Sequence, residues 1–283
     1  MSRAGPGPLA SPARELDELE LDLLLEALRQ RFGFDFRGHE RAAVRRKLRG
    51  VMRARGLASL SALQERVLHQ GGARDAVLAA LSPAPATLFE HPAQLRQLRR
   101  VLAAALHGSA LPKVWLAECA GAGEAWTLAI LLHEEALGAR TDIFATIASE
   151  QLLAQAAQAG LPAAQLAACG ADYRASGGTA ALADYFEVVR GRAMLRPALR
   201  ARITWAQYNL PTDASFNEFQ LILCRHALAD YGPLLRQRVL TLFHDSLSRF
   251  GMLGLDRCFA PEEALAAHYQ ALYPRRPWYK RIA

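Results

Sequence analysis

An α/β fold preceded by a small all-helical domain is what this sequence predicts, on three observations. Leucines at helical spacing fill residues 15–80; a stretch with three prolines, LSPAPATLFEHP, interrupts the chain at 81–92; and from about residue 94 apolar strand-like runs alternate with helical ones. The expected division is a disordered tail at 1–14, a helical domain at 15–80, a linker at 81–93 and an α/β domain at 94–283.

In the first domain, ELDELELDLLLEALRQRF places Leu16, Leu19, Leu23, Leu24 and Leu28 at helical spacing, with acids near the start as a helix dipole prefers. Gly33 and Gly38 interrupt it. RAAVRRKLRGVMRARGL then predicts a second helix closed by Gly56, with Val44, Leu48, Val51 and Met52 as its apolar stripe. Arginines and one lysine crowd its other faces. Ser59 opens a third helix that turns Leu63 and Val67 inward.

In the second domain the strand-like runs are VWLAEC (114–119), IFATIAS (143–149), ITWAQY (203–208), FQLILCR (219–225) and FGMLGLD (250–256), with helices near 94–106, 124–137, 150–159 and 233–248. Strands spaced by helices imply a mainly parallel sheet whose ligand sits beyond the carboxyl ends of the strands. AECAGAGEAW (117–126) falls there. It reads as strand, glycine turn and helix, an arrangement that cradles a nucleotide-like cofactor, or as a turn that needs glycine for geometry alone.

The chain has 283 residues, 52% hydrophobic and 22% charged, enough for two buried cores. No apolar run approaches the roughly 18 residues that span a bilayer, so no membrane insertion is expected. MSRAGPGPLASPAR lacks the apolar core of a secretory signal. Cys119, Cys169, Cys224 and Cys258 show no paired spacing, so no metal site is expected, and reduced, buried thiols in a cytoplasmic protein are the default. The net charge of +7 permits an acidic partner without naming one.

Several segments, in order, resemble the CheR-type chemotaxis receptor methyltransferases. FGFDFRGHERAAVRRKLRGVMRARGLASLSAL (32–63) is similar to the family's N-terminal helices, and TLFEH (87–91) to its T-x-F-F-R motif. WLAECAGAGEAWTLA (115–129) resembles W-S-A-A-C-S-T-G-E-E-P-Y-S-I-A, and IFATIASEQLLAQA (143–156) resembles A-T-D-I-D and its following helix. YNL (208–210), CRHALADY (224–231) and WYKR (278–281) resemble the N-L turn, C-R-N-V-L-I-Y-F and the closing strand. The resemblance implies a Rossmann-like domain that binds S-adenosylmethionine and methylates glutamate side chains of a receptor or sensor protein.

Carried over position by position, the resemblance puts the cofactor against Glu118, Gly121, Gly123, Glu124, Ser149, Glu150, Asn209, Leu210, Arg225 and His226, and the reacting groups at Thr87, His91 and Tyr231. Arg45, Arg46, Arg49 and Arg53 of the basic helix would face acidic receptor helices. That helix also reads as a solvated charged face; nucleic-acid binding is the weakest alternative, because the aromatic interleaving of single-strand binders is missing.

The departures fall on the chemistry. Ile147 and Ser149 stand at the two acidic positions of A-T-D-I-D, one of which grips the cofactor ribose in the family; His91 stands at the motif arginine, Gly123 at the first glutamate, His226 at the asparagine and Asp230 at the tyrosine. Losing the ribose carboxylate removes hydrogen bonds worth about 1.5–3 kcal/mol, roughly ten- to a hundred-fold in affinity. Glu150 substitutes if the strand ends one residue early, and Tyr231 takes the tyrosine role by a one-residue shift. Glutamate methylation needs no general base, because a carboxylate with a reference pKa near about 4.3 is already ionised at neutral pH. Positioning alone can contribute about 7–11 kcal/mol. Two readings therefore stand: a methyltransferase with weakened cofactor affinity, and a catalytically impaired pseudo-methyltransferase serving as a regulatory or ligand-sensing module.

Overall fold

The computed structural model describes residues 12–260 and 263–282. The expected tail up to residue 11 lies outside the described residues; residues 12–14 already belong to the first helix. Two compact units meet at Leu81/Ser82.

Among the described residues the first unit holds four helices, α1 (Pro12–Phe32), α2 (Arg41–Ala54), α3 (Leu60–His69) and α4 (Gly71–Leu81). In α1 the buried stripe is Leu21, Leu24, Leu25 and Leu28, while Leu16, Leu19 and Leu23 are half exposed. At about 100° per residue the two sets lie on opposite faces, so only two of the five leucines singled out by spacing reach the core. In α2, Val44, Leu48 and Val51 turn inward as expected. Ser59 caps α3, its Oγ accepting from the Ala62 amide at 3.1 Å. Helix α4 follows after one residue, burying Ala73, Val77, Leu78 and Leu81. The Gly71-Gly72 pair directly after Gln70 is the sequence signal for the break between α3 and α4.

The second unit opens on α5 (Pro92–Leu106) and then alternates strand and helix: β1 (Lys113–Leu116), α6 (Ala122–Glu134), β2 (Asp142–Ile147) and α7 (Glu150–Ala157). An excursion follows: β3 (Leu161–Pro162), α8 (Ala163–Ala168), α9 (Gly170–Ala175), β4 (Phe186–Val189), β5 (Arg192–Leu195) and α10 (Pro197–Arg200). The alternation resumes with β6 (Ile203–Gln207), β7 (Phe219–Cys224), α11 (Pro233–Ser246) and β8 (Leu247–Leu255), and closes with β9 (Tyr269–Ala271) and β10 (Trp278–Arg281).

The main sheet has the order β6-β2-β1-β7-β8-β10-β9. The first five strands are parallel; β10 runs antiparallel to β8 and β9 antiparallel to β10. Both faces are buried, as parallel strands with crossover helices require. Along β1, Val114 and Leu116 enter one core with Leu128 and Ile143, while Trp115 and Ala117 enter the other with Phe219, Ile222 and Phe243. Strands β3, β5 and β4 form a separate antiparallel sheet, each too short to give the sequence an alternating pattern. Cys119, Cys169 and Cys224 are buried, whereas Cys258 is exposed, contrary to the expectation of four buried thiols.

Candidate functional site

The carboxyl ends of β1 and β7 lie side by side, Leu116 opposite Leu223, which places Glu118 and Arg225 at the same edge of the sheet. After Leu116 the chain keeps touching both neighbours: the Ala117 amide donates to the Leu223 carbonyl and the Cys119 amide to the Thr146 carbonyl. It then turns sharply. Glu118 takes a left-handed φ of 51°, and its side chain is buried between the strand ends, where its charge raises the Tyr231 hydroxyl and the Cys224 thiol, both already pushed up by burial. Gly121, at φ 86° and ψ −167°, occupies a backbone region almost reserved for glycine and launches α6 with open space before it.

Glu124, in the first turn of α6, is the best-determined polar group of the site. Its Oε2 accepts from the Ala120 amide at 2.9 Å, and its Oε1 lies 3.3 Å from Nε2 of His226. Burial alone would raise its carboxyl. The His226 imidazole, the Arg225 guanidinium and the Ala120 amide outweigh burial and hold it below the usual carboxylate range, so it is an anion at neutral pH. Arg225 is itself oriented by α5, its Nη2 donating to Gln94 Oε1 at 3.0 Å.

Residues 86–91 cross the start of α6 as a strap. The Ala86 amide donates to the Ala120 carbonyl at 2.8 Å, and the Phe89 amide donates to Thr127 Oγ1 at 3.0 Å. Thr127 in turn donates to the Gly123 carbonyl at 2.7 Å. Phe89 is the strap's anchor, fully buried edge-on against Tyr173 with ring centroids 4.9 Å apart. Phe89 and His91 both adopt left-handed backbone, at φ 57° and 59°, which costs energy for side chains of this size and is held by the two strap hydrogen bonds and the buried Phe89 ring. Between strap, α5, α6 and the end of β7 lies a narrow cleft lined by Thr87, Glu90, His91, Glu124, Thr127, Arg225 and His226, with Leu95, Leu116 and Leu223 as floor. Its free space is about 20 Å³, room for little more than one water.

Of the residues expected at the site, Thr87, His91, Glu124, Arg225 and His226 share this cleft; Glu118 and Gly121 adjoin it through the β1–α6 turn. Asn209 is half-buried at the end of β6, its amide bound to Asp213 Oδ2 at 2.9 Å, and Glu150 is the exposed first residue of α7.

Five of the expected residues have structural roles in the fold. Tyr231 does not face the cleft: it is buried among Ala227, Leu228 and Leu235 in the second core, because the short turn after β7 folds it inward. The Leu210 side chain is likewise fully buried there. Ser149 is a helix cap, its Oγ accepting from the Leu152 amide of α7 at 3.4 Å. Gly123 is a packing glycine, since an added Cβ would stand 2.1 Å from the Ala86 carbonyl oxygen. Arg45 is neutralised within its own unit by Asp17 at 2.8 Å and Glu18 at 2.5 Å, whereas Arg46, Arg49 and Arg53 are exposed.

Glu90, Gln94 and Thr127 were missed. Thr127 was readable in part, for it follows Glu124 by three residues and must share its helix face. Gln94 was not, since it meets Arg225 only through the packing of α5 on the sheet. Among the described residues no cluster of metal-ligating side chains occurs, and no helix is long and apolar enough to cross a membrane.

Comparison with known proteins matches residues 86–257 to the family described as CheR methyltransferase, SAM binding domain, and residues 19–82 to its all-alpha domain. Cher3, a Pseudomonas putida protein named as a methyltransferase, is 34% identical over 238 residues, covering 84% of this chain and 87% of its own. Chemotaxis protein methyltransferase 1 of Pseudomonas aeruginosa is 27% identical over 266 residues, covering 89% of this chain and 93% of its own.

Proposed function

The chain belongs to the CheR methyltransferase family, with its S-adenosylmethionine-binding and all-alpha domains, and we propose that it transfers methyl groups to glutamate side chains of a chemoreceptor or related sensor protein. The observation that carries this reading is the mixed-charge cleft, in which an anionic Glu124 and the cationic Arg225 converge beside the turn after β1. A zwitterionic amino-acid group, such as the methionyl end of the cofactor, needs one partner of each sign within a few ångströms. The cleft as it stands admits little more than one water, so the strap would have to move outward; Glu124 would then take the ammonium and Arg225, fixed by Gln94, the carboxylate.

When bound, S-adenosylmethionine supplies an electrophilic methyl on a sulfonium. The protein's part is to bring an already ionised glutamate in line with it and to exclude water, for which the strap is placed. No group need act as base. The exposed arginines of α2, Arg46, Arg49 and Arg53, suit an acidic helical partner, and this work is expected in the cytoplasm.

One observation favours the second reading, an impaired methyltransferase that binds and regulates. At the ribose positions Ile147 is buried and Ser149 caps α7, which leaves the exposed Glu150 as the nearby acid for a ribose grip. Weakened cofactor affinity is expected on either reading. Incubation with methyl-labelled cofactor and the cognate receptors, alongside calorimetry with S-adenosylhomocysteine, separates them. Label in receptor glutamates supports the enzyme. Product binding without label across the receptor set supports the regulator, and absence of both refutes the cofactor site.

A further inference from the structure

A roomy cavity of the second unit lies at the other edge of the sheet. It has a free volume of about 560 Å³ and opens between the carboxyl end of α6, the start of β2 and the segment that joins the small sheet to the large one. Cavities of roughly 300–1,000 Å³ with an apolar floor and a few converging polar groups are where small molecules bind. Here Leu132, Ile143 and Leu199 make the floor. Tyr185 and His133 make an aromatic corner, their rings 5.9 Å apart at 78°. The Tyr185 hydroxyl is held from behind by Glu134 Oε1 at 2.8 Å, so the ring is fixed before any ligand arrives.

The charges at the mouth are specific. Arg196 is tethered by its backbone amide to the Tyr185 carbonyl at 2.9 Å, yet its side chain is exposed and makes no ion pair among the described residues. Arg202 is tied to Asp142 at 3.2 Å and to the Ala139 carbonyl, which makes it a fixed wall. Asp184 is exposed at the same mouth and can accept a hydrogen bond.

We propose that this cavity is a second small-molecule site, separate from the cleft at the strand ends, that takes a planar organic anion. The flat apolar body lies against Tyr185 and His133, its carboxylate, sulfonate or phosphate meets Arg196, and an N–H on the body meets Asp184. Because the lining joins Tyr185, just before β4, and Arg196, just after β5, to Ile143 of β2, an occupant would fasten the segments flanking the small sheet to the start of β2.

The test uses the full chain and 8-anilinonaphthalene-1-sulfonate, which has a planar body, an N–H and one sulfonate. The expected result is saturable fluorescence enhancement in the wild type, weakened at least ten-fold in Arg196→Glu and in Ala198→Trp, which fills the mouth from an exposed position. Saturating S-adenosylhomocysteine is expected not to displace the probe, and both variants are expected to bind that ligand as the wild type does. Absence of binding to the wild type, displacement by S-adenosylhomocysteine, or unchanged affinity in both variants would each overturn the proposal.

Discussion

Gly123→Ala tests whether the second glycine of AGAGE serves packing or cofactor. Position 123 lies in the first turn of α6, where helix propensity alone makes alanine better than glycine by about 1 kcal/mol. The structure reverses that sign. The new Cβ would stand 2.1 Å from the Ala86 carbonyl oxygen and about as close as 3.1 Å to the Thr87 backbone, so the strap must lift. Lifting it strains or breaks the Ala86–Ala120 and Phe89–Thr127 hydrogen bonds, each contributing about 1 kcal/mol, and overpacking adds about 1–3 kcal/mol. After the propensity gain is subtracted, the net loss is about 2–4 kcal/mol. For a unit of this size that is a fall of roughly 4–16 °C in Tm, read by calorimetry without cofactor. Gly123→Glu, which restores the family residue, is expected to fall at least as far. A Gly123→Ala protein that melts within a degree of the wild type but binds S-adenosylhomocysteine more weakly would refute the reasoning and return Gly123 to the cofactor loop.

Ser149→Ala removes the α7 cap and is expected to cost about 1 kcal/mol by urea titration, with S-adenosylhomocysteine affinity changed less than three-fold; a large loss of affinity at unchanged stability would place the hydroxyl on the ribose instead. Arg45→Ala should speed amide hydrogen exchange in α1 and α2 by weakening an internal ion-pair network worth about 1 kcal/mol, whereas Arg49→Ala should leave exchange unchanged and lower only affinity for an acidic partner. Glu124 is held below its ordinary value of 4.5, so its ionisation stabilises the fold fully above pH 4.5 and that contribution is lost as pH falls through the lower folded value. A Glu124→Gln protein should therefore lose less stability than the wild type over that acidic interval, measured as urea midpoint against pH. Equal slopes would count against the burial and pairing described for this carboxyl.

The alternation of strands and helices was legible because burial on both faces leaves continuous apolar runs, as in VWL and LILC, which few other structures require. Lost to the sequence were choices between equivalent patterns. Helix α1 carries two leucine stripes and spacing cannot say which is inward; Tyr231 sits in a short turn where one residue decides between core and cleft; β3, β4 and β5 are too short to show a period. The nearness of Glu124 and Arg225 was legible because both follow strands that end at one sheet edge; the packing reason for Gly123 was not, because it is a carbonyl from a segment 37 positions earlier in the chain, at Ala86. That contact also bears on two of the departures that the resemblance implies. By that resemblance His91 stands at an arginine position and Gly123 at a glutamate position. The first exchange removes a fixed cation from the strap, and the second removes an anion from the helix the strap lies on. A lone loss of the cation would leave two carboxylates, at 123 and 124, facing Glu90 across a cleft with Arg225 as its one fixed cation, an arrangement that low dielectric penalises. Losing both keeps the balance of charge and lets the strap close on α6.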